Sequence, residues 1–103
     1  MTHDVLNLLN AMEQELKKLA LWEGLPPSPE ALASTTPFCM NTLRLSQWLQ
    51  WIFIPRVRAI IDQGAELPVG ANMKPYAEEA FAVDGVHSTV LLDIIGQLDQ
   101  VMS

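Results

Sequence analysis

SQWLQWIFIPRVRAIIDQ, Ser46 to Gln63, is the stretch whose reading decides the fold. At about 100° per residue, Leu49, Phe53, Ile54, Val57, Ile60 and Ile61 fall on one broad face. That pattern predicts a long helix, with Ser46 as its N-cap and Gly64 as its stop. Trp48, Trp51 and Ile52 fall on the other side, but only in the first half. A helix that is apolar all round is buried on both sides. The first half is therefore either covered by another part of the chain or docks a partner, whereas the second half is an ordinary one-sided helix. Pro55 lies inside the pattern and should kink it, because proline removes a backbone hydrogen bond and its ring clashes with the preceding turn.

Toward the N-terminus, Gly24 to Leu45 reads as a long connection. Ser28-Pro29-Glu30 suits an N-cap followed by proline at the first helical position, opening one turn through Ala33. Ser34-Thr35-Thr36-Pro37 breaks that turn, since a residue before proline avoids the helical region. Leu32, Phe38, Met40 and Leu43 give the connection enough apolar weight to pack on the body. Before it, Thr2 to Trp22 reads as an amphipathic helix with Val5, Leu9, Met12, Leu16 and Leu19 on one face, widened by Leu8 and Ala20. Glu13 precedes Lys17 by four residues, the favourable order for an ion pair. Gly24 and Pro26-Pro27 are the expected stop.

Toward the C-terminus, Leu67-Pro68 to Asn72 forms a second connection. A short helix is expected over about 75–83, with Tyr76, Ala80 and Val83 on its inner side, ended by the turn signal Asp84-Gly85. A last helix is expected over about 87–102, with Leu91, Ile94, Ile95, Leu98 and Val101 inward. Gly96 inside it either marks a close helix contact or is an incidental surface glycine. No strand-like alternation of useful length interrupts these patterns. The expected fold is all-α: one domain over residues 1–103, a compact four-helix bundle of three longer helices and one short one, with a long ordered connection between the first two.

The chain is acidic, with a net charge of −6, which repels phosphate backbones and favours a basic protein as partner. Its six cations, Lys17, Lys18, Arg44, Arg56, Arg58 and Lys74, form no run, so direct nucleic-acid binding is not expected. Only 17% of residues are charged, against about 25% in a typical domain. That shortfall leaves apolar side chains outside, available to a partner or a second copy. A single cysteine, Cys39, fits a reducing compartment. The start lacks the pattern of a signal peptide. The most apolar run, Trp48 to Ile54, is far short of the ~20 residues that span a bilayer. A cytoplasmic protein away from membranes is the expectation.

The inventory for chemistry is thin. His3 and His87 have no second His, Cys or Asp at a metal-binding offset, so solvated or capping roles outweigh ligand roles. Cys39 beside Phe38 and Met40 reads as a small buried thiol. Glu78-Glu79 are adjacent on a helix and cannot face each other as an acid/base pair. No catalytic residue, cofactor or metal site is assigned. Binding is the better-supported class, because Trp is enriched at interface hot spots. The candidate partner-binding residues are Trp48, Trp51 and nearby Phe38, with Arg56 and Arg58 flanking the kink as anchors for carboxylates. Burial of the tryptophans under Phe38, Met40 and Leu43 is the competing reading, and the commoner fate of such residues.

Pro37-Phe38-Cys39-Met40-Asn41-Thr42, then Trp48-Leu49-Gln50-Trp51 and Ile54-Pro55-Arg56, resemble the YqcC-like family of small bacterial proteins. Leu67-Pro68 and Pro75-Tyr76 with its following acidic residues fit as well. The resemblance spans nearly the whole chain and implies an all-α bundle of about this length. It implies no established reaction and no catalytic residue. Asn41 stands where the family pattern has aspartate, so no carboxylate role is carried onto it. Members are often encoded beside a tRNA pseudouridine synthase, which implies an accessory role in tRNA modification. The leading expectation is thus a non-catalytic interaction module that docks on a basic tRNA-modifying enzyme. The alternatives are a small enzymatic or ligand-binding bundle, with a pocket opened by the Pro55 kink and lined by Arg56, Tyr76 or Arg44, and a homodimer through the Trp face.

Overall fold

A computed structural model of the chain describes residues 2–102, with side chains from Asp4 onward, so the expectation for the His3 side chain lies outside the described residues. Helix α1 (Thr2–Lys18) buries Val5, Leu9, Met12 and Leu16 completely. Full burial of side chains of this size stabilises by about 1.5–3 kcal/mol each. The helix ends earlier than the expected Trp22. Ala20 adopts the left-handed conformation (φ 61°), and the Leu21 N–H reaches back to the Leu16 carbonyl at 2.9 Å. This is a Schellman-type end with alanine where glycine is usual. What offsets the strain is packing: Leu21 and Trp22 fold back against the core as partly buried side chains. Ala20, expected on the buried face, is exposed.

Helix α6 (Thr89–Val101) lies along α1 and buries Leu91, Ile94, Ile95 and Leu98, as its spacing predicts. Its N-cap is Ser88, whose Oγ accepts from the Leu91 N–H at 3.0 Å and donates to Glu15 Oε2 at 2.8 Å. One hydroxyl therefore caps α6 and ties it to α1.

Between them in the chain comes an interrupted rod: α3 (Leu45–Trp48), a π turn over Leu49–Phe53, and α4 (Ile54–Asp62). The Pro55 disturbance takes the form of this widened turn. The Ile54 N–H bonds the Leu49 carbonyl, five residues back. Widening the coil immediately before proline relieves the clash between its ring and the carbonyl of the turn behind it. The N-cap is Arg44 and not the expected Ser46, which is buried inside the first turn. Gln47 supplies the capping interaction from within the helix, its Oε1 accepting the Arg44 N–H at 2.8 Å. Leu49, Phe53, Ile54 and Val57 are buried as expected, while Ile60 and Ile61 are half-buried.

The connection before α3 is ordered. It holds α2 (Pro29–Leu32), capped by Ser28, and a 3-10 turn at Pro37–Cys39. The Thr42 hydroxyl donates to the Ala31 carbonyl at 2.7 Å, and the Ser34 hydroxyl to Asn41 Oδ1 at 2.6 Å. Asn41 acts here as an acceptor, which aspartate would supply equally well.

Helix α5 (Lys74–Asp84) corrects the sequence reading of its inner face. Val83, expected inward, is 86% exposed, and Tyr76 and Ala80 are half-buried. The buried residues are Met73, Ala77 and Phe81, spaced by four. Phe81 carries more apolar surface than Val83 and Ala80, and its burial against the core sets the rotation of the helix. The N-terminus of α5 is fixed from another helix. Asp99 of α6 accepts the Met73 N–H on Oδ1 and the Lys74 N–H on Oδ2, both at 2.8 Å. The all-α architecture of three longer helical segments, one shorter one and a long ordered connection is as the periodicity predicts.

Candidate interaction groove

The rotation of α5 leaves Tyr76, Ala80 and Val83 facing sideways as a ridge. Opposite stands the end of the connection, Met40 to Leu45. Between the two lies an open groove of ≈ 470 Å³, with Arg44, Gln47, Glu79 and Asp84 also at its edge. Met40, 47% exposed, and Val83 are among the large apolar residues left uncovered, and both line this groove.

The Met40–Leu45 wall is held in place by strained backbone and aromatic packing. Phe38 and Cys39 both adopt left-handed conformations (φ 59° and 49°), each costing roughly 1–2 kcal/mol. Phe38 recovers this by stacking on Tyr76 (ring centroids 4.6 Å apart) and meeting Trp48 edge-on at 5.0 Å. Trp48 in turn stacks on Phe53 at 5.4 Å. Aromatic pairs of this kind add about 0.5–1.5 kcal/mol beyond their buried area. Cys39 is buried, as expected, its Sγ 3.8 Å from the Ser34 carbonyl oxygen. Burial and the nearby Asp84 carboxylate raise the Tyr76 pKa, so its phenol remains protonated at neutral pH.

The five candidate residues do not form one patch. Phe38 and Trp48 come together behind the groove, both half-buried. Trp51 is half-buried elsewhere, its indole N–H donating to Glu23 Oε1 at 3.1 Å. Arg58 is drawn to α1, bonding Asn10 Oδ1 at 2.9 Å and pairing with Glu13 at 2.8 Å. Arg56 is exposed. Of the polar groups expected to line a pocket, Arg44 and Tyr76 reach the groove and Arg56 does not.

Glu23 is the polar residue that sequence reasoning missed. Gln50, buried within the π turn, pairs with its backbone in both directions: Oε1 accepts the Glu23 N–H at 2.8 Å, and Nε2 donates to the Glu23 carbonyl at 2.7 Å. Gln47 Nε2 adds a bond to the carboxylate at 3.2 Å. The chain end of α1 is thus sewn to the π turn. The signal was Gln50 itself, one amide inside a run of apolar residues, since a buried polar group must find partners. A second polar cluster joins α1 to α4, where Glu13 takes Lys17 at 2.8 Å as well as Arg58. The Lys17 hydrogen bond, followed by Arg58, lowers the Glu13 pKa against the opposing effect of burial. Among the described residues, no group of three His, Cys, Asp or Glu could hold a metal ion, and no helix is long and apolar enough to cross a membrane.

Fold and surface together define an acidic all-α bundle with an open, largely apolar groove between Met40–Leu45 and α5. The chain belongs to the DUF446 family, whose model, described as tRNA pseudouridine synthase C, matches residues 4–101. It is 36% identical over 99 residues to the uncharacterized protein YqcC of Escherichia coli, covering 95% of this chain and 91% of that one. It is 40% identical over 72 residues to an uncharacterized protein of Haemophilus influenzae, covering 70% of this chain and 68% of that one. A third similarity is to tRNA pseudouridine synthase C of Pectobacterium carotovorum, 40% over 57 residues, which is 55% of this chain but 15% of that protein. The fold matches the solution NMR structure of E. coli YqcC with a TM-score of 0.83 at 36% identity, over 98% of this chain and 87% of that one. The YqcC-like resemblance and the helical bundle expected from the sequence both stand.

Proposed function

We propose that this chain is a non-catalytic interaction module that docks on a tRNA-modifying enzyme, namely a tRNA pseudouridine synthase. The observation that carries the reading is the uncovered apolar groove, with Met40 and Val83 exposed on a chain of net charge −6. An enzyme that grips tRNA must present cationic side chains to phosphates, so an acidic bundle is electrostatically suited to it and unsuited to the RNA itself. The similarity to a stretch of a protein named tRNA pseudouridine synthase C supports the choice of partner. Most of that protein lies outside the matched stretch, as it would if this fold works beside a larger enzyme. An open groove does not favour the ligand-binding alternative, because small-molecule sites usually enclose most of the ligand.

The test is calorimetric titration of this protein with the tRNA pseudouridine synthase C of the same organism, and separately with tRNA. The expected result is a saturable complex with the enzyme, weakened by salt, and no binding to tRNA alone. Absence of heat and of co-elution with the enzyme at about 100 μM, far above the affinity of a specific complex, refutes the proposal.

A further inference from the structure

We infer that the groove between Met40–Leu45 and α5 is the recognition surface for an amphipathic α-helix of the partner protein, one that carries basic residues along the edge facing α5. The inference rests on the docking role proposed above and names its surface and the chemistry of its occupant. Tyr76, Ala80 and Val83 are spaced by four and three, so they form a continuous ridge along α5. Tyr76 and Ala80 are half-buried and Val83 is exposed, and the open side of such a ridge is a surface on which another helix packs, ridge into groove.

Charge selects the occupant. The α5 edge of the groove carries Glu79 and Asp84, while the opposite wall carries Arg44 as its only charged residue. A helix with an apolar stripe, Lys or Arg toward α5 and an acidic residue toward Arg44 matches all three. A second copy of this chain fits poorly. Each copy carries −6 overall, so two copies repel before they meet.

The experiment follows the methyl signals of Val, Leu, Ile and Met and the Trp indole N–H signals by NMR while tRNA pseudouridine synthase C of the same organism is added. Perturbation centred on Met40, Leu43 and Val83, with the Trp51 indole unmoved, is the expected result. Val83→Asp and the double change Glu79→Lys/Asp84→Lys should each weaken the complex at least about tenfold. Both alter exposed side chains, so the fold survives and is verified on the same spectra. Perturbation confined to other residues, or variants that bind like the unaltered protein, overturns the groove assignment and leaves the docking role standing. No perturbation anywhere overturns both. Concentration-dependent shifts at the groove without added enzyme assign it to a second copy and overturn the inference.

Discussion

Replacing Asp99 by alanine tests whether one carboxylate on α6 holds the start of α5. Its two oxygens accept the Met73 and Lys74 N–H groups at 2.8 Å each. These are orphan donors of a helix N-terminus, where negative charge is also favoured by the helix dipole. Lys74 is exposed, so water replaces its lost partner at little cost. Met73 is 4% exposed, and leaving its N–H unsatisfied costs about 1–3 kcal/mol. Adding the lost dipole interaction of about 0.3–1 kcal/mol gives about 1.3–4 kcal/mol for Asp99→Ala. In a domain of this size, 1 kcal/mol moves Tm by about 4–8 °C, so a fall of about 5–30 °C is expected. Asp99→Asn keeps one acceptor and should lose about half as much. Thermal and urea unfolding followed by circular dichroism read both quantities. The urea slope should not change, because the surface exposed on unfolding is the same. Asp93→Ala is the control: Asp93 is exposed and accepts from Gln97, one turn away, and from no other side chain among the described residues, so its loss should stay within about 0.5 kcal/mol. If Asp99→Ala melts within about 2 °C of the unaltered protein, the carboxylate is not what starts α5.

Three further outcomes are expected. Gln50→Ala leaves the Glu23 backbone pair without its partner in a part-buried place and should cost about 2 kcal/mol in urea unfolding, with a change in Trp51 fluorescence because the Glu23 carboxylate beside its indole is released. Glu13→Gln should destabilise by less than about 1 kcal/mol at pH 7. Because the folded-state pKa of Glu13 is lowered, its contribution is present above the unfolded value and is lost as pH falls through the folded one, so the difference between the two proteins should shrink on acidification through that window and then vanish. Gly96→Ala adds a Cβ 3.1 Å from Lys74 Cδ, a flexible side chain that can move aside. The helix-propensity gain of up to about 1 kcal/mol should therefore leave the protein as stable or more so, which its Tm reports.

The periodicity of α1 and α6 made both helices and their buried residues legible, because each presents a single apolar stripe to a single core. The two-sided character of the Trp48–Ile54 run was equally legible, and so was the disturbance at Pro55. The rotation of α5 was not. With Met73 just before it, its apolar residues are Tyr76, Ala77, Ala80, Phe81, Ala82 and Val83, and two helical faces can be drawn through them. Only packing against the core chose Met73, Ala77 and Phe81 and left Tyr76, Ala80 and Val83 to the groove. The same holds for Trp51 and Arg58, whose polar partners Glu23 and Glu13 lie 28 and 45 positions away along the chain.

By itself, then, the sequence determined what is local: helical segments, breaks, the acidic balance and the surplus of apolar surface, all functions of residue type and short spacing. The tertiary structure alone decided which of that surplus is covered. Coverage depends on contacts between distant segments: Phe38 held in a left-handed turn to reach Tyr76 and Trp48, Asp99 reaching across to start α5, and Phe81 claiming the core in place of Val83. The position of the groove is the sum of those long-range choices, and no spacing rule within any one helix contains it.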